Sequence, residues 1–494
     1  MQLGKYFIAS IMVFVASAPK VAYSAPSAAK PQITVVDMVP ASLSGEVGDD
    51  SEPFLAVQIA DPRIMVGSAF TASPSGPGNA PVYISQDSGT TWVLSPIVPM
   101  VPLRGETCDQ TYAMAVGSNA PRGDLYSGEL GCEQSTHVIT LDEATTSDVV
   151  SASTMTVQNS RQNVDQPFTQ GLTLSNGQHI YVGLNDYNFR PQTATVDVST
   201  DGGATFTSVP IEKRRTSDQD GPSVRPAVAS DGTVYAAFLG WRKFVPTGAE
   251  TGTVTADVVV VRDDAGGMGC SAFEALSDPS DGLAGRIVAK GITIPWSNRP
   301  TLGPERIGST LSLAVDPNNS SSVYVGWGDR VGNGDIYTLH VRHSSDRGMT
   351  WSAKDLPSMT LVNATNIALA VGKNGVLGVL YQALANQTGG PQRWVTHLKQ
   401  VSSSVLTDTV LATVPANRPP AGPLPYLGDY DSLLAVGDEF RGIFSANNTP
   451  DMSDFPEGVK FQRAADFSKK TLSDGNGHTV GVSIDPFYFS VSLL

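Results

Sequence analysis

Apolar and polar residues in this chain alternate over short runs broken by Gly, Pro, Asp and Ser, a period-two pattern that predicts strands. The runs come in pairs. Pro53 to Ile59 is followed by Arg63 to Phe70, Thr111 to Val116 by Asp124 to Leu130, and Phe168 to Leu174 by His179 to Asn185. Val224 to Ala229 precedes Thr233 to Gly240, Leu311 to Val315 precedes Ser322 to Trp327, and Ile367 to Val371 precedes Gly375 to Ala383. Ser432 to Val436 with Phe440 to Ala446 completes the series. The first runs start near 53, 111, 168, 224, 311, 367 and 432. One long interval, between the fourth and fifth, interrupts the spacing.

An octapeptide follows three of these pairs. Ser85-Gln86-Asp87-Ser88-Gly89-Thr90-Thr91-Trp92 recurs as Ser199 to Phe206 and as Ser344 to Trp351. Ser and Asp side chains suit the backbone of a tight hairpin turn, Gly supplies a positive φ, and the aromatic ring packs beneath. The pattern resembles the Asp-box (BNR) repeat of sialidase-type β-propellers. That resemblance implies an all-β ring of four-stranded blades, each box joining a third strand to a fourth. Seven blades follow from the run pairs, with six as the alternative. Degenerate boxes are expected at Thr140 to Ala144, around Arg262 to Gly266 and at Arg463 to Phe467. Gln32 to Val39, or Thr479 to Leu494, supplies the strand that closes the ring, since an open ring leaves exposed edges. Residues 51–494 then form one propeller domain, behind an N-terminal segment at 26–50 that contributes to closure.

Blade topology assigns two faces. The boxes lie on one, where their Asp residues are turn formers. The links between blades lie on the other, with the ends of the second strands. There Asn185 to Arg190 offers Tyr187 and Arg190, Gly240 to Lys243 offers Trp241 and Arg242, and Gly326 to Arg330 offers Trp327 and Arg330. Flat rings and guanidinium forks suit a sugar's apolar face and its hydroxyl or carboxylate groups. The alternative is that the rings pack between blades and each Arg pairs with an acid.

Just before the inner strands stand Glu52, Asp109, Asp165, Asp220, Arg225, Arg306, Asn366, Asp429, Tyr430 and Asp431. Paired carboxylates perform glycoside hydrolysis as acid and nucleophile or acid and base. The candidate catalytic set is Asp165, Asp429, Tyr430 and Asp431. Tyr187, Arg190, Arg225, Trp241, Arg242, Arg306, Trp327 and Arg330 are the candidate substrate contacts. The link Ser277 to Gly308 reads as a lid or an inserted loop. The sialidase motif Phe/Tyr-Arg-Ile-Pro is missing, Pro62-Arg63-Ile64-Met65 being a superficial counterpart, so the chain is not a close match to true sialidases.

Composition narrows the class further. Charged residues are 16%, and 48 Gly with 34 Pro suit a turn-rich β protein. The net charge of −15 with no basic tract speaks against nucleic acid and anionic membrane surfaces as partners. Lys5, the apolar run Tyr6 to Ala18 and the small residues before Ala25 read as a signal peptide over 1–25, hence a secreted or periplasmic protein. In that compartment Cys108 and Cys132, at one end of a hairpin, are expected to form a disulfide, and Cys270 to be a buried free thiol. No metal-ligand spacing is present, and neither metal nor cofactor is expected. The sequence therefore reads as a monomeric, exported Asp-box propeller whose partner is a glycan or glycoconjugate. It is either glycosidase-like, with its site on the linking face, or a non-catalytic binder of glycans or exported proteins.

Overall fold

Val258-Val259-Val260-Val261 is an apolar run without alternation, and all four side chains are fully buried. A strand covered on both faces reads this way, and here the covers are the neighbouring blades. The outermost strands, half open to solvent, alternate instead: Thr156–Gln162 is exposed at every second residue. A computed structural model describes residues 31–70, 80–99, 106–115, 124–133, 138–217, 224–248, 251–296, 310–330, 337–356, 361–403, 405–420 and 427–494. The signal-peptide segment lies outside them.

Seven four-stranded antiparallel sheets form the ring. Blade 1 holds Ser51–Val57, Met65–Phe70, Val82–Ser85 and Val93–Leu94. Blade 2 holds Glu106–Ala115, Asp124–Glu133, Val138–Thr146 and Thr156–Gln162, and blade 3 holds Val164–Leu174, Gly177–Asp186, Thr193–Ser199 and Thr207–Pro210. Blade 4 comprises Val224–Val228, Val234–Gly248, Thr251–Asp263 and Arg286–Trp296. Blade 5 comprises Leu311–Asp316, Asn319–Arg330, Tyr337–Ser344 and Leu361–Val362. Blade 6 comprises Ala364–Val371, Leu377–Ala385, Arg393–Val401 and Leu406–Pro415. The inner strands thus begin at 51, 106, 164, 224, 311, 364 and 432, within five residues of the positions that the run pairs predict.

Blade 7 is built from both chain ends. Ser432–Val436 pairs with Glu439–Asn447, which pairs with Ile484–Ser492, and Ile33–Asp37 adds the outermost strand. Both candidate closing segments are therefore used. Arg463, fully buried, fastens this seam by ion pairs to Asp37 at 2.9 Å and to Asp485.

The three octapeptides fold alike. In each, the Ser hydroxyl accepts from the Gly N–H four residues on at 2.9 Å, and the Asp carboxylate accepts from the Thr N–H four residues on. Gly89, Gly203 and Gly348 have φ of 81°, 84° and 79°. A Cβ at Gly89 would run into the ring of Tyr488 in blade 7, so this glycine turn docks on the preceding blade. In blade 4, Asp263 replaces the Ser and accepts from the Gly267 N–H at 2.7 Å.

Four expectations need correction. Thr140 to Ala144 lies inside the strand Val138–Thr146, not in a turn. Arg463 to Phe467 belongs to a separate hairpin, Ala464–Asp466 with Thr471–Ser473, inserted before the third strand of blade 7. Within the Ser277 to Gly308 link, Arg286–Trp296 is a strand, because it supplies the fourth strand of its blade, and 297–308 lies outside the described residues. Cys270 is exposed and free, in a glycine-rich loop whose Gly266, Gly267 and Gly269 all have positive φ.

Candidate functional site

In four blades the inner strand begins with a bulge, the register slipping between Ser51 and Phe54, Thr107 and Gln110, Asp165 and Phe168, and Thr365 and Ala368. In three of them the residue in the slip is left-handed: Glu52 at φ 53°, Gln166 at φ 53° and Asn366 at φ 55°. Such a conformation costs a non-glycine residue roughly 1–2 kcal/mol and concentrates at working sites. Pro53 and Pro167 also keep the residue before them out of the right-handed helical region.

The bulged residues meet at the axis. Gln166 Nε2 of blade 3 donates to Asp429 Oδ2, on the lead-in to blade 7, at 2.9 Å. Glu52 Oε1 of blade 1 accepts from the Asp429 N–H at 3.2 Å. Tyr430 OH donates to Asp109 Oδ1 of blade 2 at 3.4 Å. Arg225 of blade 4 lies 4.3 Å above the Phe168 ring and 5.4 Å from the Tyr430 ring, both within cation–π range. Phe54 meets Phe168 edge-on at 5.0 Å. This aromatic collar caps a channel of about 320 Å³, lined by inner strands of six blades and by Asp431. Gly428 lets the Asp429 loop approach: its φ is 83°, and a Cβ there would collide with Glu52.

Electrostatics follow from this crowding. Burial pushes the Tyr430 hydroxyl well above its ordinary range, and the negative charges of Asp109 and Glu52 push it further. Tyr430 is therefore a proton donor to Asp109. Burial pulls the Arg225 guanidinium down to about 10, opposed by Tyr430, Asp429, Asp109 and Glu52, so it stays charged at neutral pH. Two buried polar atoms at this mouth have no hydrogen-bond partner: Gln166 Oε1 and Arg225 Nη2.

The remaining sequence candidates separate cleanly. Asp165 joins the rim, its Oδ2 accepting from Tyr187 OH at 3.1 Å and its Oδ1 from the Gln166 N–H at 2.8 Å. Arg190 is exposed, and its Nη1 donates to the carbonyls of Tyr187 and Phe189. Trp241 is fully buried and stacks on Phe244 at 5.6 Å, while Arg242 pairs with Glu212 and Asp257 at 2.8 Å each. Trp327 is buried and stacks on His340 at 4.9 Å. These three side chains are engaged by ring and ion-pair partners in the protein itself. Arg330 ends its strand, half-buried. Asp220 and Arg306 lie outside the described residues. Backbone pairing sets Cys132 opposite Glu106, beside Cys108 on the linking face.

Gln166 escaped sequence reasoning because a neutral amide carries no charge signal. The repeat of Glu52-Pro53-Phe54 as Gln166-Pro167-Phe168 was the sign that could have found it.

No protein-family model and no curated protein matches the chain. Among solved structures, it is similar to the GH93 α-L-arabinofuranosidase of Fusarium graminearum in complex with arabinobiose, at 12% identity and a TM-score of 0.45, over 92% of this chain and 97% of that one. It is also similar to the Penicillium chrysogenum α-L-arabinanase complexed with arabinobiose, at 13% identity and 0.42, over 72% and 94%. The NanB sialidase of Streptococcus pneumoniae matches at 9% identity and 0.35, over 93% and 70%.

Proposed function

We propose that this propeller is an exported, glycosidase-like protein whose working site is the acidic mouth on the linking face. The observation that carries the reading is the pair of partnerless atoms, Gln166 Oε1 and Arg225 Nη2. A buried polar group without a partner costs about 1–3 kcal/mol. A ligand hydroxyl that donates to the first and accepts from the second recovers that cost. Among the described mouth residues, Arg225 is surrounded by the carboxylates of Asp429, Asp109 and Glu52, a field that suits a neutral sugar better than a sialic acid.

In this reading Asp429, held by Gln166, and Asp165, held by Tyr187, are the acid and base or nucleophile that glycoside cleavage needs. Asp431 lines the channel below them. Tyr430 orients Asp109, and can attack only if Asp109 takes its proton. Arg225, Arg190 and Tyr187 contact the sugar, with Arg330 assigned to the same face. The protein works as a monomer. Export rests on the N-terminal apolar run, and a Cys108–Cys132 disulfide would brace the mouth of blade 2.

A second reading is a glycan binder without turnover, favoured by the complete burial of Asp429. A screen of chromogenic glycosides and a glycan array, run on the mature protein and on Asp429→Asn, separates the two. Turnover that falls at least a hundredfold in the variant supports the enzyme. Binding without turnover in both supports the binder, and silence on all glycans overturns both.

A further inference from the structure

On the face of the octapeptide turns, each turn docks against the preceding blade, and most of these seams are sealed. The blade 1 turn is covered by the insert before the last strand of blade 7: Lys460 Nζ donates to the Thr90 carbonyl at 2.8 Å, and Gln462 Oε1 accepts from the Trp92 N–H at 2.7 Å. The blade 5 turn is locked to blade 4 by Arg347, which reaches Asp264 at 2.8 Å and Thr233 at 2.7 Å. Blade 4 seals its own seam to blade 3 by burying Phe273 and by the bond from Tyr181 OH to the Gly266 carbonyl.

Among the described residues the blade 3 turn has no such cover. Blade 2 lacks an octapeptide, and its last connection leans the other way, toward blade 1. Val149 and Met155 are buried in the cluster that holds Ile97 and Val98, and the Met155 N–H donates to the Ile97 carbonyl at 2.7 Å. A cavity of about 870 Å³ is left between blades 2 and 3, within the usual size of small-molecule sites, about 300–1,000 Å³. Its floor is a hydrogen-bonded chain in which Tyr126 OH donates to Gln178 Oε1, and Gln178 Nε2 donates to Asp124 Oδ2 at 2.6 Å. Seven of the lining residues are Ser or Thr, among them Thr145, Thr156 and Thr200.

The lining chemistry selects the ligand. Among its described lining residues there is no Lys, Arg or His, so an anionic ligand finds no counter-charge among them. Its two carboxylates are engaged, Asp124 by Gln178 and Asp201 by the Thr205 hydroxyl of its own turn. What remains is a wall of hydroxyl and amide groups able both to donate and to accept. That pattern matches a polyhydroxylated, uncharged molecule. We propose that the groove between blades 2 and 3 is an accessory binding site for a neutral oligosaccharide, on the opposite face from the mouth and independent of it.

Thr156 and Gln158 are exposed on the outermost strand of blade 2, where substitution leaves the fold intact. Native-gel affinity electrophoresis through soluble arabinan, xylan and glycogen, with polygalacturonate as the anionic control, reads the site directly. The Arg225→Met protein, whose altered group is in the mouth, is expected to keep the retardation in at least one neutral gel. Thr156→Val combined with Gln158→Leu removes two polar partners and should weaken it about tenfold. Asn176→Leu, in the opposite wall, provides a second variant. No retardation by any neutral polymer, equal retardation by polygalacturonate, or retardation unchanged in both groove variants would overturn the proposal.

Discussion

Blades 3 and 6 begin with the same backbone and put it to different uses. Asn163 and Asn363 are left-handed at φ 55° and 54°, and each carbonyl accepts from an N–H at the end of the second strand, Tyr187 just beyond it and Leu384 just within it. Three residues on, Gln166 and Asn366 are left-handed again, in matching bulges. In blade 3 that geometry connects Asp165, Gln166 and Asp429 across the axis. In blade 6 it connects Thr365, Asn366, Gln382 and Thr396 in a neutral network that ends on the Ser445 carbonyl. The bulge belongs to the architecture, and the carboxylates placed on it distinguish blade 3 from blade 6.

The comparison can be broken most severely by moving charge. Thr365→Asp puts a carboxylate where blade 6 has only neutral, fully buried partners, and is expected to cost about 3–5 kcal/mol in urea denaturation. Asp165→Thr, the reverse exchange on a half-exposed rim, should leave stability nearly unchanged while weakening ligand binding. Next in size is Gly428→Ala, which forces a Cβ onto Glu52 at a positive φ. A loss of roughly 2–3 kcal/mol is expected, measured as a lowered urea midpoint. Gln166→Leu sharpens the contrast: glycan affinity should drop about tenfold, while Asn366→Leu should lower stability and leave affinity alone, both read by calorimetry.

The smallest effect concerns a group outside both lead-ins. Burial works against the charge on His340, but bonds to Asp329 and Asp355 raise its pKa to about 9. The folded protein therefore holds a proton that the unfolded chain releases near 6.5. This stabilisation is full below pH 6.5 and lost as pH rises through 9. Denaturation midpoints at pH 6 and pH 10 should differ by on the order of 1 kcal/mol more in the wild type than in His340→Gln.

Much of this was legible beforehand, for identifiable reasons. Period-two runs and turn residues are local signals, so the inner strands and the three octapeptide turns could be placed from sequence. Position next to an inner strand marks the mouth, which is why Glu52, Asp109, Asp165, Arg225 and Asp429 to Asp431 could be named together. Direction at a strand's end was not legible. One residue of register turns a side chain from ligand to neighbour, and so Trp241 and Trp327 stack inside the blades. Arg242 pairs with Glu212 across 30 residues of chain, a contact that no local pattern carries. The groove between blades 2 and 3 arises from a missing turn, and it takes the neighbouring seams to reveal it.

The closing strand sets an order on folding. Ile33–Asp37 leaves the ribosome long before its partner Ile484–Ser492 is made. For most of synthesis the N-terminal strand has no ladder to join, and six blades stand as an open stack with an apolar edge. Contacts this distant in sequence form late and expose the chain to aggregation meanwhile. The buried Arg463 seam then works as a latch on a finished ring, and a chain truncated before residue 484 is expected to be recovered as aggregate.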